Sequence, residues 1–187
     1  EAGLSFATDN RTLAYASERG GNWQLYLAKI ARKEDPNFPN ATLIEEEVLL
    51  PSTTVERAYP QFSPDGKMLA IAASGEAFNK IGLKIAPEQT SNMADGQLFL
   101  YDPASKQANP VTKDFNPSVQ NFVWNKGDKQ IYLQGEDKDC VRLYVLNPST
   151  GKILPIPLKE DILSDFTIAE TTPELVYFGE SASNSQR

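Results

Sequence analysis

The sequence contains no histidine, and this absence excludes several classes of active site at once. Histidine supplies the base of a Ser-His-Asp triad and of a Cys-His pair, and it is the commonest metal ligand among side chains. None of these sites can be assembled from the 187 residues of this chain alone. We therefore predict no catalytic residue, no metal site and no cofactor site within the chain.

Cysteine, positive charge and long apolar runs are also scarce. The single Cys140 cannot form a disulfide within the chain, so cysteine content does not indicate a cellular compartment. A net charge of −7 argues against nucleic acid or an anionic membrane as the main partner, because both are bound by basic surfaces. No stretch approaches the roughly 20 consecutive apolar residues of a transmembrane helix, so no membrane insertion is predicted.

What the sequence does contain is a turn motif between short apolar segments. The clearest copy is Phe62-Ser63-Pro64-Asp65-Gly66-Lys67, which is followed by Leu69-Ala70-Ile71. Pro64 presets its φ for a turn, Asp65 can hydrogen-bond to its own backbone, and Gly66 tolerates positive φ. Asp65 and Gly66 are therefore interpreted as turn formers, and the flanking segments as the strands of a tight β-hairpin.

The spacing of this motif recurs along the chain. A large apolar residue precedes each turn, and an aliphatic residue begins the strand that follows it. The pairs with the same offset are Phe6 and Leu13, Phe62 and Leu69, and Trp124 and Ile131. A fourth copy places Ile168 at the position of Phe6. The apolar period is close to two throughout, which indicates strands and excludes a run of helices.

The repeats divide the chain into units of up to four strands. We expect complete units over residues 4–50, 57–112 and 118–157, and an incomplete unit over residues 162–187. A four-stranded unit that recurs every ~40–60 residues is typical of a β-propeller. The predicted fold is therefore an all-β partial β-propeller of about three and a half blades, with residues Phe62 and Trp124 in the core between blades. A β-sandwich with accidentally similar turns is the alternative.

This number of blades does not close a ring. Closed propellers typically have about four to eight blades, and each blade buries its faces against its neighbours. The chain is therefore expected to be part of a larger ring, which further blades of a longer protein or a partner would complete.

The motif at residues 62–71 resembles the TolB-type propeller repeat, which occurs in TolB, in tricorn protease and in prolyl oligopeptidase-family serine peptidases. Further segments resemble the last blades of the acylaminoacyl-peptidase and dipeptidyl-peptidase 5 branch of that family. They are Leu98-Phe99-Leu100-Tyr101-Asp102, Val111-Thr112-Lys113-Asp114-Phe115, Phe122-Val123-Trp124 and Ile131-Tyr132-Leu133. The resemblance implies the non-catalytic propeller portion of a larger serine peptidase, which caps the active site and filters peptide substrates.

The catalytic α/β-hydrolase domain implied by this resemblance would lie outside the chain. A nucleophile elbow reads Gly-x-Ser-x-Gly, and Gly179-Glu180-Ser181-Ala182-Ser183 lacks its last glycine. Ser181 also has no histidine to activate it, so we interpret it as a loop residue. The family further implies a periplasmic or otherwise extracytoplasmic location, with a cytoplasmic location as the alternative.

Two other functions are compatible with the same repeat. One is a non-enzymatic TolB-like propeller that serves as a scaffold for binding a protein or peptide. The other is the propeller of a tricorn-like protease.

One acidic segment is a candidate substrate site. Glu45-Glu46-Glu47-Val48 resembles the glutamate motif with which dipeptidyl peptidase IV propellers hold the amino terminus of a substrate. Paired carboxylates can bind an ammonium group through charge-assisted hydrogen bonds, so Glu45 and Glu46 are the predicted substrate-binding residues. The alternative is an exposed edge strand whose charges prevent pairing with other sheets.

A long insertion and an acidic turn complete the candidates. Residues 74–95 are long for a connection within a blade, and loops of this length are often functional. We expect either a contact with a partner or domain, or a passive excursion. Asp137-Lys138-Asp139 lacks the spacing of a calcium loop and is interpreted as an exposed hairpin tip.

Overall fold

The computed structural model describes residues 3–32, 37, 42–50, 59–85, 89 and 95–181. Within these residues, the regular structure consists of β-strands and one helical turn, α1 (Ala77–Lys80). The strands are β1 (Leu4–Phe6), β2 (Thr12–Arg19), β3 (Asn22–Arg32), β4 (Thr42–Leu49), β5 (Tyr59–Phe62), β6 (Leu69–Ser74), β7 (Gly96–Asp102), β8 (Gln107–Pro110), β9 (Ser118–Trp124), β10 (Ile131–Asp137), β11 (Cys140–Leu146), β12 (Ile153–Ile156), β13 (Ile162–Ile168) and β14 (Leu175–Glu180).

The strands form successive antiparallel meanders. The first sheet has the order β1-β2-β3-β4, the second has the order β5-β6-β7-β8, and the third contains β9, β10, β11 and β12. The β13–β14 hairpin touches the third sheet through one parallel pairing, Val141 with Ile162. The first two sheets each lie within one of the units predicted from the repeats, and the parallel pairing makes β9–β14 one six-stranded sheet that extends beyond the third unit. The division of the chain into blades at the predicted bounds stays a prediction.

Short turns with suitable residues explain why consecutive strands pair. The β2–β3 hairpin pairs Arg19 with Asn22, and only Gly20 and Gly21 lie between them. Both glycines have positive φ, 63° and 83°, as a type I′ turn requires. Gly66 likewise has a φ of 72° in the turn between β5 and β6.

Apolar side chains from facing sheets form the core in three layers. The first cluster lies between the first and second sheets, the second between the second and third sheets, and the third between the third sheet and the β13–β14 hairpin. Phe62 belongs to the first cluster and Trp124 to the second, and both are buried. The sheets therefore stack face to face.

Side-chain hydrogen bonds join the strands of neighbouring units. The Gln61 amide donates to the Trp124 carbonyl at 3.3 Å, and its oxygen accepts from the Trp124 N–H at 2.8 Å. The Ser5 hydroxyl accepts from the Phe62 N–H at 3.0 Å, and the Gln134 amide donates to the Leu163 carbonyl at 2.9 Å. These bonds satisfy backbone groups at the sheet junctions, where an unpaired polar group would be costly.

Candidate functional site

Three aspartates fold the turns at one edge of the first two sheets. In the Ser-Pro-Asp-Gly turn, Asp65 Oδ1 accepts hydrogen bonds from the Ser63 hydroxyl at 2.7 Å and from the Lys67 N–H at 3.1 Å. These bonds favour the charged carboxylate and lower the pKa of Asp65, with the Ser63 bond the largest cause. The turn is thus closed by its own side chains.

Asp9 closes the β1–β2 turn and Asp102 closes the β7–β8 turn in the same way, by accepting hydrogen bonds from nearby hydroxyl and N–H groups. Asp9 accepts from the Thr12 hydroxyl and from two backbone N–H groups, and its pKa is lowered mainly by the Thr12 bond. Asp102 accepts from the Ser105 hydroxyl and the Ala104 N–H, and its pKa is lowered mainly by the Ser105 bond. All three carboxylates are therefore ionised and engaged in their own turns.

A cleft of about 860 Å³ lies between the first and second sheets at this edge. Its apolar lining includes Leu27, Val48, Phe62, Met68 and Tyr101. Its charged lining includes Lys29, Glu46, Lys67 and Lys106 together with the three turn aspartates. This volume and the mixture of an apolar lining with charges of both signs suit a peptide-sized ligand.

The three glutamates predicted as an acidic segment lie on β4 and are all exposed. Glu46 lines the cleft and forms an ion pair with Lys29 at 3.1 Å. Glu45 is the extra residue of a β-bulge, because Lys29 pairs with Glu46 and Ile30 pairs with Ile44. The structure thus places Glu46 at the cleft. Among the described residues, none pairs with both Glu45 and Glu46.

The third glutamate, Glu47, belongs to a cluster that sequence reasoning missed. Arg19 donates to both Glu47 carboxylate oxygens, and the Tyr15 hydroxyl donates to one of them. The Arg19 guanidinium also stacks over the Tyr26 ring, 4.1 Å from its centroid. Residues 19 and 47 are far apart in the sequence, and only the strand register of β2, β3 and β4 brings them together.

This cluster perturbs the protonation of its carboxylate. The Arg19 hydrogen bond, followed by the Tyr15 hydrogen bond, lowers the pKa of Glu47 to about 2. The pKa of Arg19 is raised in turn by its bond to Glu47. Glu47 is therefore held by its own chain and is a poor candidate for binding a substrate ammonium.

The described part of the 74–95 insertion packs mainly on its own chain. The Phe78 ring is buried against Phe99 and Tyr101, with ring centroids 5.2 and 5.9 Å apart. Lys113 Nζ donates to the Ile81 carbonyl at 2.9 Å. Ile85 remains exposed. Residues 86–88 and 90–94, which include Met93, lie outside the described residues, and a partner contact stays a prediction.

The acidic turn predicted from the sequence forms no metal-binding group with the other described residues. Asp137, Lys138 and Asp139 span the β10–β11 hairpin, where Asp137 pairs with Cys140. Over the described ranges, no group of three Cys, Asp or Glu side chains is arranged to hold a metal ion. The part of the chain that the structure describes also has no helix long and apolar enough to cross a membrane.

Comparison with known sequences gives one informative relative. No family model matches the chain. Over 165 residues, or 88% of its length, the chain is 24% identical to dipeptidyl-peptidase 5 of Porphyromonas gingivalis. It spans 22% of that protein. The similarity therefore covers most of this chain and a small part of its relative.

Solved structures show the fold more clearly. TolB from Acinetobacter baumannii matches with a TM-score of 0.64 and 13% identity, over 100% of this chain and 39% of that one. Puromycin hydrolase matches with a TM-score of 0.59 and 16% identity, over 97% of this chain and 25% of that one. A putative TolB from Agrobacterium tumefaciens matches with a TM-score of 0.53 and 13% identity, over 81% of this chain and 47% of that one. The predicted resemblance is thus confirmed, and the chain has the fold of a TolB-type β-propeller, of which it supplies a part.

Proposed function

We propose that the chain is the non-catalytic propeller portion of a larger serine peptidase of the prolyl oligopeptidase type. The observation that carries the proposal is the similarity to dipeptidyl-peptidase 5, which extends over 88% of the chain. The fold is compatible with it, because the chain superposes on puromycin hydrolase over 97% of its length as well as on TolB over 100%.

In this proposal the propeller restricts access to a catalytic domain elsewhere in the parent protein. The chain has no histidine, so hydrolysis would be carried out by groups outside it. A rigid stack of sheets at the entrance admits flexible peptides and excludes folded proteins. From the resemblance to TolB-type propellers we also propose a periplasmic or otherwise extracytoplasmic location for the parent protein, with a cytoplasmic location as the alternative.

Glu46 would contribute to substrate binding on the cleft side of the first sheet, and Glu45, which does not line the cleft, would contribute from the adjacent bulge of β4. Glu46 already pairs with a cation, Lys29, so a peptide ammonium would have to compete with it. We expect Glu46→Gln in the parent peptidase to raise KM for substrates with a free amino terminus, by roughly 10-fold at most because the site is exposed. Amino-terminally acetylated substrates serve as the control and should show no change. An equal change for both substrates would contradict the assignment.

The coding sequence of the parent protein beyond Arg187 tests the proposal. We expect a Gly-x-Ser-x-Gly elbow, followed by an aspartate and then a histidine, in an α/β-hydrolase domain. A reading frame that encodes only further propeller blades would contradict it, and would favour a TolB-like or tricorn-like protein instead.

A second candidate is a TolB-like scaffold that binds a protein or peptide, and the cleft favours it. A cavity of about 860 Å³ with an apolar lining is within the size range of ligand sites. Met68→Lys would place a charge among the apolar side chains of this cleft. We expect the Met68→Lys variant to lose a peptide that the wild-type chain captures. A variant that lacks residues 86–94 should retain the peptide, and the two results together would support binding at the cleft.

A further inference from the structure

The Lys29 and Glu46 side chains form a cross-strand pair at the cleft between the first and second sheets. Lys29 on β3 stands directly opposite Glu46 on β4 in the strand register, so both side chains lie on the same face of the sheet. Both line the cleft, and Lys29 Nζ lies 3.1 Å from Glu46 Oε2. The carboxylate proposed to bind a substrate ammonium therefore already holds an ammonium group of its own chain.

Strand geometry makes this arrangement specific to Glu46 among the three glutamates of β4. Glu47 lies on the opposite face of the sheet, because successive side chains of a strand alternate. It accepts both hydrogen bonds from Arg19, which does not line the cleft. Glu45 is the extra residue of the bulge and does not line the cleft either. Glu46 is thus the glutamate whose described cationic partner shares the cleft with it.

The Lys29–Glu46 pair is exposed and can exchange with a ligand. Its side chains are 64% and 58% exposed, against 46% and 25% for Arg19 and Glu47. Exposed ion pairs stabilise a fold little, because water and salt screen them and two flexible side chains must be ordered. Lysine also binds through a single ammonium group, whereas Arg19 holds Glu47 through two nitrogen atoms. A ligand ammonium can therefore displace Lys29 from Glu46 far more readily than it can displace Arg19 from Glu47.

The other carboxylates of the cleft are engaged by their own turns. Asp9, Asp65 and Asp102 each accept a hydroxyl and at least one backbone N–H of the turn in which they lie. Because these bonds close the turns, a ligand could break them only by loosening the fold there. Glu46 is held instead by one side chain that can rotate away, so it is the carboxylate of the cleft that a ligand ammonium reaches most readily.

We propose that Lys29 is a specificity-determining residue of this site, because its ammonium group occupies Glu46 until the ammonium group of a ligand replaces it. A ligand without a positive charge gains nothing at Glu46 and leaves the ion pair closed. A ligand with a free amino terminus competes with Lys29, so its affinity depends on the difference between the two contacts. The inference rests on the binding of a substrate amino terminus by Glu46, which is part of the proposed function.

Steady-state kinetics of Lys29→Gln in the parent peptidase test this proposal. The variant should lower KM for substrates with a free amino terminus by roughly 2–5-fold, the range expected for an exposed ion pair, and leave kcat unchanged. Lys29→Arg keeps a cation opposite Glu46 and should retain the wild-type KM. Lys138→Gln, at an exposed lysine of the β10–β11 hairpin, is the matched control. Amino-terminally acetylated substrates should respond to none of these variants, whereas a merely structural loss would affect both classes of substrate.

Binding to the full 187-residue chain gives a second readout that does not depend on catalysis. The probe is alanyl-phenylalanine amide, which has an ammonium group and no carboxylate, and its acetylated form is the blank. In two-dimensional NMR titrations, Lys29→Gln should tighten binding of the probe and Glu46→Gln should weaken it. In the Glu46→Gln background, Lys29→Gln should change the affinity less than in the wild type, because the carboxylate for which the two ammonium groups compete is gone.

The outcomes separate the role of Lys29 from that of Glu46. An unchanged or weaker affinity in Lys29→Gln, together with a loss of affinity in Glu46→Gln, would overturn the role of Lys29 and leave the assignment of Glu46 intact. An unchanged affinity in Glu46→Gln, or no binding of the probe to the wild-type chain at millimolar concentration, would overturn both. Circular dichroism checks that each variant is folded, and Lys29→Met replaces Lys29→Gln if that variant is not.

Discussion

Asp65 shows how a single side chain can define a propeller unit. It closes the Ser-Pro-Asp-Gly turn through the Ser63 hydroxyl and the Lys67 N–H, and Ser63 Oγ in turn accepts from the Met68 N–H at 2.9 Å. Gly66 packs against the Thr8 side chain of the first sheet. A Cβ added at Gly66 would lie 2.6 Å from Thr8 Oγ1. The turn motif is therefore structural, and it also aligns neighbouring units.

We predict that Asp65→Ala destabilises the fold by about 1 kcal/mol at neutral pH, the usual loss for a hydrogen-bonded turn residue. The folded pKa of Asp65 lies below 3.8, so its contribution is complete above pH 3.8 and is lost as the pH falls through the folded value. Urea unfolding should therefore show a smaller difference between variant and wild type in strong acid. Asp139→Ala, at a hairpin tip, is the control, and an equal loss in both variants would contradict the prediction.

Glu47 gives a second acid-dependent contribution. Its pKa of about 2 in the fold, against an ordinary 4.5, means that its stabilisation is present above pH 4.5 and lost between pH 4.5 and about 2. Because the Arg19 and Glu47 side chains remain partly solvent-accessible, at 46% and 25%, we expect Glu47→Gln to cost about 1 kcal/mol or less at neutral pH, and less at high salt. Chemical unfolding across this pH range measures the effect. Glu46→Gln is the matched control, because it removes a neighbouring carboxylate whose ion pair is with Lys29 and not with Arg19.

At the scale of elements, the strands and their stacking were largely predictable from the sequence. Alternating apolar residues and the Asp-Gly turns indicate the hairpins, because a period of two and positive φ each have a simple residue signature. The repeat of Phe62 and Trp124 in equivalent positions indicates the layers between sheets. Such local patterns can be recognised from the sequence alone.

The candidate site was less predictable for a physical reason. The cleft is lined by residues from two sheets, so no contiguous segment carries its signature. The Arg19–Glu47 pair depends on register across three strands, and the β-bulge at Glu45 breaks the simple pairing of the acidic segment.

The junction between the strands β9–β12 and the β13–β14 hairpin is sensitive to small changes. An added Cβ at Gly127 would lie 2.0 Å from the Thr171 carbonyl oxygen, and the Asn125 amide donates to the Ala169 and Thr172 carbonyls at 2.7 and 3.1 Å. Gly127→Ala must therefore push these two turns apart.

We predict that Gly127→Ala loosens the β13–β14 hairpin selectively, with a local cost of about 1–3 kcal/mol typical of overpacking. Amide hydrogen exchange should accelerate in β13 and β14 and stay unchanged in the first sheet. Gly20→Ala is the control, because open space surrounds Gly20 and its strain is confined to the β2–β3 turn. Unchanged exchange at β13 and β14 in Gly127→Ala would show that the junction does not depend on this contact.

At the scale of the whole molecule, the described chain is a stack of sheets whose junctions bury three clusters of apolar side chains. In the proposed peptidase, the cleft and Glu46 on β4 would lie on the propeller portion that accompanies the catalytic domain.

The hydrolytic activity of the parent protein tests the proposed role most directly. We predict that the parent protein uses a serine nucleophile to cleave an unstructured peptide, and that a serine-directed organophosphate abolishes this cleavage. The same peptide sequence should not be cleaved when it lies within a folded protein. Gly127→Ala in the parent should raise cleavage of longer substrates relative to short ones, because it loosens the barrier and leaves the catalytic groups intact. Equal cleavage of folded and unstructured substrates, or no peptide hydrolysis at all, would contradict the account.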